Sequence, residues 1–275
     1  MPKFRKTFEE RTFGEMTQGS VFSGAKSYLY KNTTIHGIII TPRCDIAHKK
    51  VPFYHYLPMV RLEDWIETEL PQIFICHLKN ESLGNLFKVF TDYKISINLL
   101  KRYNYGNIKK VIENFKKEHS THAKEFDNRI RKTFATLEDL ENLESKKIDI
   151  EQLYTKYSKQ KRSILKELIE NKIPHYYFIE HNDNKEGTYY IIRLKEINKL
   201  NPILFEEISN GIDTPLSDIL LQNSDIEHNS EGNIIMQLCV MRSQYIENLI
   251  QQFTQQFSRI GIDDFCQELK NNILQ

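Results

Sequence analysis

Arg43, Cys44, Asp45 and His48 set a guanidinium, a thiol, a carboxylate and an imidazole within six residues. A thiol beside a cation and near an imidazole can lose its proton early and act as a nucleophile. The same Cys44 can equally be a small buried apolar side chain. Asp45 can serve as a general base or ligand, or bond main-chain N–H groups and cap a turn. Cys44, His48, His55, Cys76 and His77 are also metal-ligand types. Their spacing fits no common zinc module, so no metal set is expected. The P-loop, Rossmann glycine, G-x-S-x-G and H-E-x-x-H patterns are absent, and no cofactor is expected.

The elements that must position these groups are short strands. Gly37-Ile38-Ile39-Ile40 reads as a buried strand that ends at Thr41-Pro42. Gln18–Phe22, Lys26–Tyr30 and Phe53–Val60 read as strands around it, which suggests a small barrel or a strongly bent sheet. Residues 62–100 turn helical through Leu62, Trp65, Ile66 and Leu70, with a break at Pro71 and a mixed stretch beyond it. Tyr93 to Leu100 fits a short helix or an extended segment.

Ile108, Val111, Phe115, His122, Phe126, Ile130, Phe134, Leu137 and Leu140 recur at spacings of three, four or seven. They predict one long helix of coiled-coil character from 107 to about 145. Asp149 is the expected N-cap of a second helix that Pro174 stops, and the two would form an antiparallel hairpin. His175–Glu180 and Thr188–Leu194 predict strands around a polar loop, His181 to Gly187. Residues 201–232 read as loop with a short helix at 215–221. A strand over Ile234–Met241 follows, then a helix capped by Ser243 and ended by Gly261, then a short closing helix.

The fold class is therefore expected to be α+β. A small β-barrel-like body (1–61 and 173–275) is interrupted by a mostly helical insertion (62–172, with the hairpin at 107–170), and a C-terminal helix packs on the body.

Charge is unevenly spread although the net value is +1. Residues 101–132 hold Lys101, Arg102, Lys109, Lys110, Lys116, Lys117, Lys124, Arg129, Arg131 and Lys132 against four acids, a net +6. Residues 201–241 hold no Lys or Arg, but carry Glu206, Glu207, Asp213, Asp218, Asp225, Glu227 and Glu231. The two can pair internally, or each can face its own partner. Lys109, Lys110, Lys116, Lys117, Lys124, Arg131 and Lys132, interleaved with Tyr103, Tyr105, Phe115 and Phe126, are candidates to track a phosphate backbone. The phenylalanines also lie on the apolar seam, which would leave the lysines as a solvated face.

No apolar run approaches 18 residues, and no apolar signal core follows the basic N-terminus, so a cytoplasmic chain with no membrane partner is expected. Cys44, Cys76, Cys239 and Cys266 lie far apart and read as reduced thiols. Abundant Asn, Lys and Ile suggest an AT-rich bacterial genome.

Gln18-Gly19-Ser20-Val21, Gly37-Ile38-Ile39-Ile40-Thr41 and Tyr56-Leu57-Pro58-Met59-Val60 together resemble the opening of the PemK/MazF-type small barrels. The resemblance covers some 45 residues of the chain. It implies an SH3-like barrel of the kind used by ribosome-independent toxin endoribonucleases. Ser20 stands where that family carries an acid, and His36-Gly37 where it carries Arg-Pro, and none of its catalytic residues is carried over. Gln18-Gly19, Thr41 to Asp45 and Arg259-Ile260-Gly261 are also similar to uncharacterised bacterial proteins of mobile and defence genes.

The first expectation is thus a bacterial accessory protein that docks a macromolecular partner through its hairpin, in a phage-defence or toxin–antitoxin-like setting. The second is a nucleic-acid binder or endoribonuclease with its site at the end of the 37–41 strand. The third is a Cys44-dependent enzyme.

Overall fold

A computed structural model describes residues 5–10, 14–31, 33–101, 105–118, 123–183, 186–212, 225–226 and 234–257. The expected 215–221 and closing helices, Tyr103, His122, Arg259-Ile260-Gly261 and Cys266 lie outside the described residues. The fold is α+β, and the chain divides into two compact units: Met1–Asp64 with Leu168–Gln275, and Trp65–Glu167.

The first unit is a curled antiparallel half-barrel sheet. Its strands are β1 (Phe8–Glu10), β2 (Ser20–Ser23), β3 (His36–Ile39), β4 (Tyr54–Arg61), β5 (Tyr176–Asp183), β6 (Glu186–Arg193), β7 (Asn198–Leu200) and β8 (Gln237–Met241). They run in the order β1-β8-β2-β3-β4-β6-β5, with β7 also on β4. Two features drive the curl. The β2–β8 register shifts between Val21 and Phe22, and such a bulge increases local twist. Gly37 is the other. A side chain there would meet the Phe22 ring at 2.4 Å, because Phe22 and Tyr56 pack edge-to-face across it with centroids 5.1 Å apart. On one face Val21, Ile38, Leu57, Met59, Ile179, Ile192 and Met241 form a core with Ile246 and Leu249 of the C-terminal helix.

Lys26–Tyr30 is not a strand. Side chains satisfy its main chain instead. The Lys26 N–H donates to the Tyr56 hydroxyl (3.0 Å), Asn198 Nδ2 to the Lys26 carbonyl (2.6 Å), and the Tyr28 N–H to Glu196 Oε1 (2.9 Å). The polar loop expected from His181 to Gly187 is likewise replaced by ladder, since β5 and β6 stay paired out to Asp183 and Glu186. In the segment expected to be loop-rich, Asn201 caps a helix at Pro202–Asn210, accepting from the Leu204 N–H at 2.8 Å.

The second unit is helical. Leu62–Thr68 leads into it, and Leu70–Asp92 is one 23-residue helix, here α3. Pro71 does not break it. Proline sits in the first turn, where a missing N–H costs no hydrogen bond. Buried Leu70, Phe74, Leu78, Leu86 and Phe90 follow at helical spacing. After a left-handed Lys94 (φ 55°), Asn98–Lys101 forms one short helical turn.

Where one long helix is expected, the chain forms two: α5 (Tyr105–Glu118) and α6 (Ala123–Glu144). Tyr105 stacks on Phe134 (5.3 Å) and Phe115 packs on Phe126 (4.6 Å), so the two helices run antiparallel. Tyr93, just past α3, meets both phenylalanines and completes the aromatic cluster. The heptad-like seam therefore folds back on itself instead of continuing. The second predicted helix is also two: α7 (Ile150–Lys156) and α8 (Ser158–Ile169). Asp149 caps α7 as expected, in a reciprocal capping box with Gln152. Tyr157 interrupts the pair, its hydroxyl donating to Asp139 of α6 at 2.5 Å. Among the described residues, no helix is long and apolar enough to cross a membrane.

Candidate functional site

The end of β3 is held from three sides. The Gly19 N–H donates to the Ile39 carbonyl (2.8 Å) and Gln18 Nε2 to the Ile40 carbonyl (3.1 Å). Thr41 Oγ1 accepts from the His55 N–H (2.7 Å). Gly19 has φ +89°, and a Cβ there would lie 3.2 Å from the Met241 carbonyl. Only glycine lets these strand ends meet so closely.

Past Pro42 the chain forms a one-turn helix, Arg43–Ala47, which carries three of the four candidate groups, with His48 just beyond. Arg43, Cys44 and His48 are exposed and Asp45 is half-buried. Arg43 Nη2 donates to Ser243 Oγ at 3.1 Å. Ser243 is therefore not the expected N-cap. Arg242 holds that position without a side-chain cap, and Ser243 is the first residue of the C-terminal helix, here α10 (Ser243–Gln255). The Cys44 thiol lies 3.6 Å from Asp45 Oδ1, as a weak donor. Among the described residues, Asp45 caps no main-chain N–H, so the turn-cap expectation for its carboxylate is not met. The His48 main-chain N–H donates to the Cys44 carbonyl at 3.1 Å, closing the helical turn, but its imidazole makes no hydrogen bond or ion pair with the side chains of the other three. The structure thus brings together Arg43 with Ser243 and Cys44 with Asp45, but not all four around one point. Sequence spacing misses Ser243 as a partner because it lies 200 residues along the chain.

His55 is exposed on β4, while Cys76 and His77 ride on α3 in the other unit. Among the described residues, no three His, Cys, Asp or Glu side chains gather as a metal ion requires. His77, Asn80 and Glu81 of α3 line an open polar groove with Lys159, Gln160 and Ser163 of α8, about 560 Å³ in volume.

The basic residues fall into two groups. Lys116 pairs with Asp127 across α5 and α6, and Arg129 pairs with Asp92 at the end of α3. Both are tied to packing. Arg129 is held above its ordinary value first by its bond to Asp92. Lys109, Lys110, Lys117, Lys124, Arg131 and Lys132 are exposed, and none forms an ion pair with an acid among the described residues. On α6, Lys124, Asn128, Arg131 and Lys132 share one outward face, opposite buried Phe126, Ile130 and Leu137. On α5, Lys110 and Lys117 are two turns apart on the face opposite Ile108 and Ile112. The helical unit carries twenty Lys and Arg against fifteen Asp and Glu, and the β unit has the reverse bias.

Comparison of the chain with family models, with curated proteins and with solved structures finds no match.

Proposed function

We propose that this protein binds nucleic acid and that α5 and α6 contact its phosphate backbone. One observation carries the reading: six cations on these two helices face solvent without an acidic partner, while the two that serve packing are paired. On the outward face of α6, Lys124, Arg131 and Lys132 outnumber one exposed acid, Glu125, and Asp127 is taken by Lys116. A row of unpaired charge on a rigid helix pair suits a polyanion, whose counterions are released on contact.

The test is binding of labelled single-stranded RNA and duplex DNA at about 50 and 200 mM salt. The reading expects affinity to fall by orders of magnitude over that range. It also expects Lys124→Glu with Arg131→Glu to abolish binding in a protein that keeps its circular dichroism. Salt-insensitive binding, or none at low salt, refutes it and gives this face to a protein partner.

A further inference from the structure

We infer that Tyr28 is a base-stacking platform for single-stranded nucleic acid, set in place by a buried ion pair beneath it. The inference rests on the nucleic-acid reading above and names a contact on the β unit.

Tyr28 is 69% exposed, the most exposed large apolar side chain among the described residues, and it stands beside Leu29 at 40%. The main chain that carries this ring is anchored. Its N–H donates to Glu196 Oε1 at 2.9 Å, and the neighbouring Ser27 hydroxyl donates to Glu196 Oε2 at 2.8 Å. Arg193 pairs with the same carboxylate and donates to Ser27 Oγ at 3.1 Å. Arg193 and Glu196 are each only 7% exposed. The Arg193 guanidinium lies 5.2 Å from the Tyr28 ring centroid and 5.5 Å from that of buried Tyr30. The Tyr28 ring therefore has a cation against it and presents most of its surface to solvent.

Burying an ion pair is costly, and a turn that merely joined β2 to β3 would not need one. Here the pair anchors the main chain beneath a single exposed aromatic ring and sets a guanidinium against it, which lowers the entropy a stacking surface loses on binding. The surroundings suit a nucleic-acid strand. Lys26, Lys31 and Lys195 are exposed within a few residues of Tyr28 or of its anchor Glu196. The carboxylates that touch these segments are already engaged, Glu196 as described and Asp225 by the Lys199 N–H at 3.0 Å. An exposed ring on a segment that also carries exposed cations suits unpaired bases held without reading their identity.

The experiment is fluorescence anisotropy with a labelled oligouridylate of about 20 nucleotides and a duplex of equal length. The wild type is compared with Tyr28→Phe, Tyr28→Leu and Tyr28→Ala. Stacking predicts that Tyr28→Leu and Tyr28→Ala each weaken single-strand binding about five- to a hundredfold, while Tyr28→Phe binds like wild type. Duplex binding and the salt slope should not change, because no phosphate contact is lost. Tyr28→Leu keeps an apolar side chain and removes only the aromatic face. Single-strand affinity unchanged in Tyr28→Leu, in a wild type that binds with strong salt dependence, overturns this inference and leaves the broader reading intact. A wild type that binds neither probe overturns both.

Discussion

Asn171 bonds both main-chain groups of Phe178. Its Oδ1 accepts from the Phe178 N–H at 2.5 Å, and its Nδ2 donates to the Phe178 carbonyl at 3.3 Å. Phe178 is on β5, one of the two terminal strands of the sheet path, where main-chain groups would otherwise stand open. One carboxamide thus imitates a neighbouring strand and closes the edge at that point. Asn171 reaches it from a left-handed conformation, φ 55°, just past the end of α8, a position asparagine tolerates well.

Asn171→Ala should therefore lower stability by about 1–3 kcal/mol in urea unfolding, through two lost hydrogen bonds at a partly buried site. It should also make association concentration-dependent by light scattering, because the edge becomes available for pairing. Asn171→Asp keeps the acceptor and loses the donor, so it should fall between the two. A monomeric Asn171→Ala protein of wild-type stability would show that the edge is protected by something else.

Much of this architecture is legible in the sequence, and the failures share a cause. The strand before Thr41, the hairpin partner over 188–194 and the Asp149 cap follow from local patterns that act within a few residues. The Lys26–Tyr30 strand does not form because Glu196, Tyr56 and Asn198, all distant in sequence, take up its main-chain groups. The long helix over 107–145 splits because Phe115 packs on Phe126 and on Tyr93, and periodicity cannot tell a continuous seam from one folded back on itself. The candidate site divides in the same way. Arg43 to His48 announce themselves by type and proximity. Ser243 and the Arg193–Glu196 anchor under Tyr28 exist only through the fold.

Tyr157 supplies a pH prediction. Burial first, and the hydrogen bond to Asp139 second, push its pKa up from 10.0 to about 12. Burial does the same to Tyr154. A phenol that ionises later in the folded state than in the unfolded one contributes stability that is complete below about pH 10 and is lost as pH rises towards 12. Urea midpoints should accordingly fall between pH 9 and pH 11. Tyr157→Phe should be less stable at pH 9, for want of the bond to Asp139, and should show the shallower decline. Parallel declines in the two proteins would mean that Tyr157 does not drive the alkaline transition.

The thiols separate by burial. Cys44 and Cys76 are exposed, while Cys239 faces the sheet core at 8% exposure. Iodoacetamide with site-resolved mass spectrometry should label the first two in the native protein, and Cys239 only on the timescale of unfolding. If the protein acts through phosphate contacts, Cys44→Ser should bind nucleic acid as wild type does. Loss of binding or activity in a folded Cys44→Ser protein would support thiol chemistry instead.

Lys116 and Lys117 are neighbours of like charge, and the nucleic-acid reading gives them opposite behaviour. Lys116 is half-buried and paired with Asp127, so its charge is already spent on joining α5 to α6. Lys117 is exposed and pairs with no acid among the described residues. Each phosphate contact contributes about 0.7 to the slope of log affinity against log salt for a single strand. Lys117→Gln should therefore reduce that slope by about 0.7 and leave the urea midpoint unchanged. Lys116→Gln should leave the slope unchanged and lower stability by up to about 1 kcal/mol, the usual range for a partly exposed ion pair. Equal slopes in both variants would mean that the paired and unpaired cations do not differ in use, and the case for α5 as a phosphate-contacting helix would fail.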